Sequence, residues 1–348
     1  MRHKIVVSQP IDPEVRAFLE SQGDVVLNER GRPLEPVELR AACADADALM
    51  AFMTERIDGA FLSNCTRLKV VAGALKGYDN IDVPACSRQG VAVTIVPDLL
   101  TEPTAELTIG LMIALCRNMR AAEAHLRGGD FTGWRPRFYG RSLNGSTVGV
   151  LGAGRVGQAV LNALGGFRCE RLYADEIALP GEQEAALGAS RCDLVDLRRG
   201  ADFLVLALPL TERTHGLVDR AFLSDMKPGA FLINPARGSL VDEPAVADAL
   251  ARGALAGYAA DVFAMEDWAQ PDRPREINEN LRNSPKTVLT PHIGSAVGDV
   301  RRAIEWSAAE SIATALRGEI PETAVNAAML ARSPIRSAVS GGAREASS

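Results

Sequence analysis

At 348 residues the chain has room for about two domains of ordinary size. Its 47% apolar and 24% charged residues are usual for a globular protein, and a net charge of −6 excludes general attraction to nucleic acid or to an anionic membrane. Six cysteines stand singly, with no CxxC pair and no Cys/His cluster, so neither a metal site nor a disulfide framework is expected, and reduced thiols point to the cytoplasm.

The opening "MRHKIVVSQP" holds too short an apolar run for a signal peptide, and no run reaches the roughly 18 apolar residues of a membrane span. The runs "KIVV", "DVVL", "ALMAFM", "KVVAGAL" and "VAVTIV" alternate with helical patterns near 12–22, 36–42, 58–63 and 83–88. Such alternation predicts a parallel sheet with helices on both faces, and five strands predict a flavodoxin-like unit. In "PDLLTEPTAELTIGLMIALCRNMRAAEAHLRGG" the rhythm breaks: apolar residues at helical spacing predict one long helix near 103–122, crossing between domains or buried in a subunit interface. Alternation then resumes with "TVGVLG", "RLYAD", "DFLVLAL", "AFLINP", "GYAADVF" and "TVLTP", a second parallel sheet. A second long helix is expected from about Val297 to Leu316, and the Ser-, Gly- and Arg-rich 331–348 is expected to be a disordered tail.

"TVGVLGAGRVGQAV" sets Gly152, Gly154 and Gly157 as GxGxxG between a strand and a helix. That context makes it a dinucleotide loop: a tight turn, close approach to a pyrophosphate, and close packing of helix on strand. The next strand ends at Asp175, placed to accept from the adenosine ribose, and Glu176 adds a charge that repels a 2′-phosphate. No arginine follows at once, so NAD is expected over NADP.

Three later strands end in chemically complementary residues. "INPARGSLVDE" carries Arg237, "GYAADVFAMED" carries Asp261 and Glu266, and "VLTPHIGSA" carries His292. Ligands of open parallel sheets bind beyond the carboxyl ends of the strands. Arginine clamps an anion, histidine exchanges a proton near neutral pH, and a carboxylate orients the histidine. Singly, each has a plain alternative: a surface ion pair, a solvated acidic loop, a helix cap.

With "GAGRVG", "NPARGSLVDE", "AADVFAMED" and "TPHIGSA", the chain resembles the D-2-hydroxyacid dehydrogenase family from residue 4 to about 326. The resemblance implies two doubly wound α/β domains: a Rossmann NAD domain at 100–290 inserted in a flavodoxin-like substrate domain of 1–99 plus 291–330. It implies a homodimer, with the helix near 103–122 at its interface. It also implies cofactor contacts from Lys76, Thr104, Arg155, Val156, Ala207, Leu208, Pro209, Pro235, Ala236, Asp261, His292 and Gly294.

Within the family, "MAFMTERID", "ALKGYDNID", "GWRPRFYG" and "LALPLTERT" resemble the branch that oxidises phosphite (phosphonate) to phosphate. Phosphite is a compact dianion, and Lys76 beside Gly77 would supply a second cation to Arg237. Arg301 is a third candidate cation. Met53, Leu100, Trp134 and Tyr139 are candidate walls, and Ser295 a candidate substrate contact. The expected reaction is therefore NAD-dependent phosphite oxidation. The alternative is oxidation or reduction of a small 2-hydroxy or 2-oxo acid. A non-catalytic NAD-responsive protein would have no need of Arg237, Glu266 and His292 together.

Overall fold

The computed structural model describes residues 2–96, 98–270 and 272–331; of the expected disordered tail, all but residue 331 lies outside the described residues. The chain divides into two units: residues up to Leu99 with those from Gly298 on, and Leu100–Val297.

The first unit opens with β1 (His3–Val7), α1 (Pro13–Gln22), β2 (Gly23–Leu27), α2 (Pro36–Cys43), β3 (Ala48–Ala51), α3 (Gly59–Leu62), β4 (Val70–Gly73), α4 (Val83–Arg88) and β5 (Ala92–Thr94). These five strands pair with one another in parallel, in the order β2-β1-β3-β4-β5, the flavodoxin-like winding that five alternating strands predicted. β3 and β4 are buried along their whole length, because helices cover both faces of the sheet. Local chemistry starts the helices where the apolar periodicity does. Asp12, Asp58 and Asp82 each accept a backbone N–H of the first turn, and prolines occupy the first turn of α1 and α4.

The second unit begins with α5 (Thr101–Cys116) and α6 (Met119–Arg127). The single helix expected near 103–122 is thus two, because Asn118 adopts a left-handed conformation (φ 52°) and its amide donates to Tyr139 O at 3.1 Å. The apolar girth of α5 is explained inside its own unit. Ala105, Ile109, Met112 and Cys116 are buried there, in one core with residues of the strands and of the helix at 155–163. α6 buries nothing.

A doubly wound sheet follows: β6 (Thr147–Leu151), α7 (Arg155–Ala163), β7 (Glu170–Ala174), α8 (Gly181–Leu187), β8 (Ser190–Arg191), α9 (Leu194–Gly200), β9 (Phe203–Leu206), α10 (Arg220–Ser224), β10 (Ala230–Asn234), α11 (Glu243–Ala251), β11 (Leu255–Ala260), α12 (Glu279–Asn283) and β12 (Thr287–Leu289). Its order is β12-β11-β10-β9-β6-β7-β8, with the reversal between β9 and β6. That is the Rossmann winding, with one strand added at the far edge. β8 left no mark in the sequence, since both its residues are exposed and it is two residues long.

The chain re-enters the first unit at Val297/Gly298 rather than at the expected 290/291. The reason is hydrogen bonding: Thr290 N–H donates to Ala260 O and His292 N–H to Asp261 O, so the segment after β12 remains tied to β11. α13 (Gly298–Leu316) then packs on β3, β4 and α1, with Trp306 against Phe18 at 5.1 Å between ring centroids. A final turn, α14 (Ala327–Leu330), follows. Before it, Asn326 closes the edge of β5, accepting from Val93 N–H at 3.0 Å and donating to Val91 O at 2.9 Å.

Candidate active site

In the second unit the glycine loop joins β6 to α7. Gly152 has φ +99°, and a Cβ there would lie 2.4 Å from Ala207 O. A Cβ on Gly157 would lie 2.0 Å from Gly152 O. Gly154 differs: its φ is −68°, and a Cβ would meet no atom within 4 Å. The protein's own packing leaves that space open, beside the N-terminus of α7 where Arg155 and Val156 form the first turn. A dinucleotide pyrophosphate fits it, since it needs open room and the positive end of a helix.

Asp175, ending β7, accepts from Ala153 N–H at 2.7 Å and from Ile177 N–H at 3.0 Å. Its carboxylate thereby leans over the glycine loop, where a ribose would lie. The fold also supplies what the sequence lacked locally. Arg191 Nη2 donates to Asp175 O at 2.8 Å, and Arg213 pairs with the Glu176 carboxylate. Two arginines thus stand beside the acidic pair, although none follows it in the chain. Ala207, Leu208 and Pro209 form the loop after β9, with Ala207 N–H bonded to Leu151 O.

The three catalytic candidates come from consecutive strand ends of this sheet. Asn234, fully buried, shapes the Pro235–Ala236 turn. Its side chain accepts from Ala236 N–H at 3.1 Å and donates to Arg237 O at 2.8 Å, presenting Arg237 half-buried. Glu266 ends a 3-10 turn (Ala264–Glu266) after β11. One of its oxygens accepts from Phe263 N–H at 2.9 Å; the other meets His292 Nδ1 at 2.7 Å. With Nδ1 engaged by a carboxylate, Nε2 is the ring nitrogen left for proton exchange.

His292 holds a left-handed φ of 57°, a conformation that costs a non-glycine residue about 1–2 kcal/mol. Asp261 offsets this. Its buried carboxylate accepts from Thr290 Oγ1 at 2.6 Å and from the N–H groups of Ile293 and Gly294, both at 2.8 Å. Burial raises the Asp261 pKa, and those hydrogen bonds oppose the rise. Expected as a cofactor contact, Asp261 has a visible role as the clamp of the His292 loop. Gly294 in turn abuts Thr104, whose hydroxyl donates to Leu100 O at 2.6 Å, and Ser295 follows half-buried.

Trp134 and Tyr139 lie in the segment after α6, where they are 78% and 76% exposed. The fold of one chain does not give them the enclosed surroundings expected of apolar walls.

In the first unit, Met53 follows β3, and Lys76 and Gly77 follow β4, all half-buried. Asn80 ties these two loops together, donating to Phe52 O at 3.1 Å and to Glu55 O at 2.7 Å. Arg301, in the first turn of α13, lies over the Phe52 ring at 5.0 Å and pairs with Glu305 at 3.3 Å. Its burial lowers the guanidinium pKa, and Glu305 counters that. Asn234, Asn80 and Glu305 escaped the sequence reading, because each acts on partners that only the fold brings near.

Comparison with known proteins places these residues in a lineage. Residues 109–294 match the model of the D-isomer specific 2-hydroxyacid dehydrogenase NAD binding domain. A glyoxylate reductase of Pyrococcus furiosus is 36% identical over 331 residues, covering 94% of this chain and 96% of that protein. Among solved structures, the TT0316 protein of Thermus thermophilus superposes with a TM-score of 0.84 at 34% identity, over 92% of this chain and 99% of that one. An NADPH-dependent glyoxylate/hydroxypyruvate reductase of Sinorhizobium meliloti, solved with NADP and malonate, gives 0.81 at 30% identity, over 97% and 99%. With a Rossmann sheet, a fitted dinucleotide loop and an Arg–Glu–His set at its strand ends, the chain is an NAD-dependent oxidoreductase and belongs to the D-isomer-specific 2-hydroxyacid dehydrogenase family.

Proposed function

We propose that the protein interconverts a small 2-oxo acid, glyoxylate first, and its 2-hydroxy acid. The observation that carries this is the 2.7 Å bond between His292 Nδ1 and Glu266 in the unit that bears the nucleotide loop. The naming of its relatives as glyoxylate reductases moves the first choice from phosphite to a 2-oxo acid.

Bound NAD(H) supplies the hydride acceptor or donor. The chain's own residues do the rest. Arg237 holds the substrate carboxylate through its planar fork. His292 gives a proton from Nε2 to the carbonyl oxygen in reduction and takes it back in oxidation. Glu266 keeps the ring oriented and stabilises its charged form. Phe263 N–H fixes Glu266, and Asp261 fixes the backbone that carries His292.

Oxidation of phosphite is the second reading, favoured by Lys76: a dianion gains more from a second cation than a monocarboxylate does. Here His292 would take the proton of a water attacking phosphorus. Purified enzyme given glyoxylate with NADH, then phosphite with NAD⁺, separates the two by absorbance at the nicotinamide band. Turnover of glyoxylate is expected. NADH formation from phosphite, with no activity on any 2-oxo or 2-hydroxy acid, would reverse the choice. Lys76→Ala sharpens the comparison: on the phosphite reading it raises the phosphite KM by about 100-fold, equivalent to roughly 2.7 kcal/mol.

A further inference from the structure

We propose that Asp267 is a positioning residue that couples the Arg237 loop to the Glu266 loop. Asp267 is 4% exposed, and its Oδ2 accepts from Ser239 N–H at 2.6 Å. Ser239 stands two places after Arg237; Asp267 follows Glu266 directly. One hydrogen bond therefore joins the backbone that presents the anion clamp to the backbone that presents the carboxylate of the dyad.

The surroundings make that bond hard to replace. Ser239 is 7% exposed, so its amide has no ready access to water if Asp267 is lost. Its own carbonyl is already taken by Gly216 N–H at 2.7 Å. The two loops also touch backbone to backbone, since a Cβ on Gly238 would fall 1.8 Å from Phe263 C. Glu243, buried in α11, holds the far side of the Glu266 loop, accepting from Ala264 N–H at 2.9 Å and from Asn278 N–H at 3.1 Å. Glu243 thus fixes the Glu266 loop to its own unit, and Asp267 fixes it to Arg237. Substrate position and proton transfer both depend on the second tie.

The role rests on Arg237, Glu266 and His292 being the reacting set, so His292→Ala is measured alongside. Full turnover by His292→Ala would remove the reacting set itself. With His292→Ala inactive, Asp267→Ala is expected to lower kcat about 30-fold and raise the substrate KM about 10-fold. NADH affinity, read by nicotinamide fluorescence, should stay within about 3-fold of wild type, because the glycine loop is carried by β6 and α7 and Asp267 by the turn after β11. Amide exchange in the peptide spanning Ser239 should speed up about 10-fold. Asp267→Asn keeps an acceptor and should restore most of the loss, leaving kcat about 3- to 10-fold down. Wild-type kcat, KM and exchange in Asp267→Ala would overturn the coupling, as would a lower melting temperature with kcat and KM unchanged. Should Asp267→Ala not fold, Asp267→Asn decides: wild-type kcat together with wild-type exchange at Ser239 would overturn it.

Discussion

Asp175 and Glu176 show how far a residue's meaning depends on neighbours. In the chain they form an acidic pair with no arginine beside it. In the fold, Arg191 donates to the Asp175 carbonyl and Arg213 pairs with Glu176. The two carboxylates would repel a 2′-phosphate by charge, and that of Glu176 holds Arg213, a cation suited to bind one, while Arg191 is held by backbone carbonyls. Replacing both, as Asp175→Ala with Glu176→Gln, is expected to raise NADP affinity by about 10-fold or more, from one restored charge pair. Titration with 2′,5′-ADP against 5′-AMP checks this without turnover. An unchanged affinity ratio would mean that the arginines do not reach the phosphate. The structural relative solved with NADP shows that the family's fold accepts the phosphorylated cofactor.

Among the elements, α5 and α6 carry the sharpest departure from periodicity. Apolar spacing continues past Cys116, so the pattern predicts one helix. Asn118 stops it by taking φ 52° and donating to Tyr139 O. Asn118→Ala should destabilise the fold by about 1–2 kcal/mol, through left-handed strain in a residue with a Cβ and the lost side-chain bond. Asn118→Gly, free of the strain, should cost less. Denaturant midpoints measure both, and equal midpoints for Ala and wild type would refute the account. The strand–helix units, by contrast, were legible nearly to the residue, because alternation, aspartate caps and first-turn prolines agree there. β8 was not legible, being short and polar.

At the scale of the whole molecule, the segment from α6 onward leaves Met119, Leu126, Phe131, Trp134 and Tyr139 all more than half exposed. Apolar surface gathered in one short segment is unusual on a monomer and common at an interface. A homodimer is expected, with this segment rather than the buried α5 at its centre. Sedimentation should find a dimer, and Leu126→Glu with Trp134→Glu should yield a folded monomer. A monomeric wild type at micromolar concentration would refute this. Among the described residues, no helix is long and apolar enough to cross a membrane.

By itself the sequence determined the two parallel sheets and the dinucleotide loop, and it singled out Arg237, Glu266 and His292 as candidates. Each is written in local signals: period-two and helical apolar patterns, glycines at fixed offsets, polar residues at strand ends. Only the tertiary structure decided what supports them. Asp261 clamping a strained His292, Asn234 shaping the Arg237 turn, and Asp267 reaching Ser239 join residues up to 33 positions apart. Such bonds leave no periodic trace, because one hydrogen bond between two loops imposes no pattern on the residues around it.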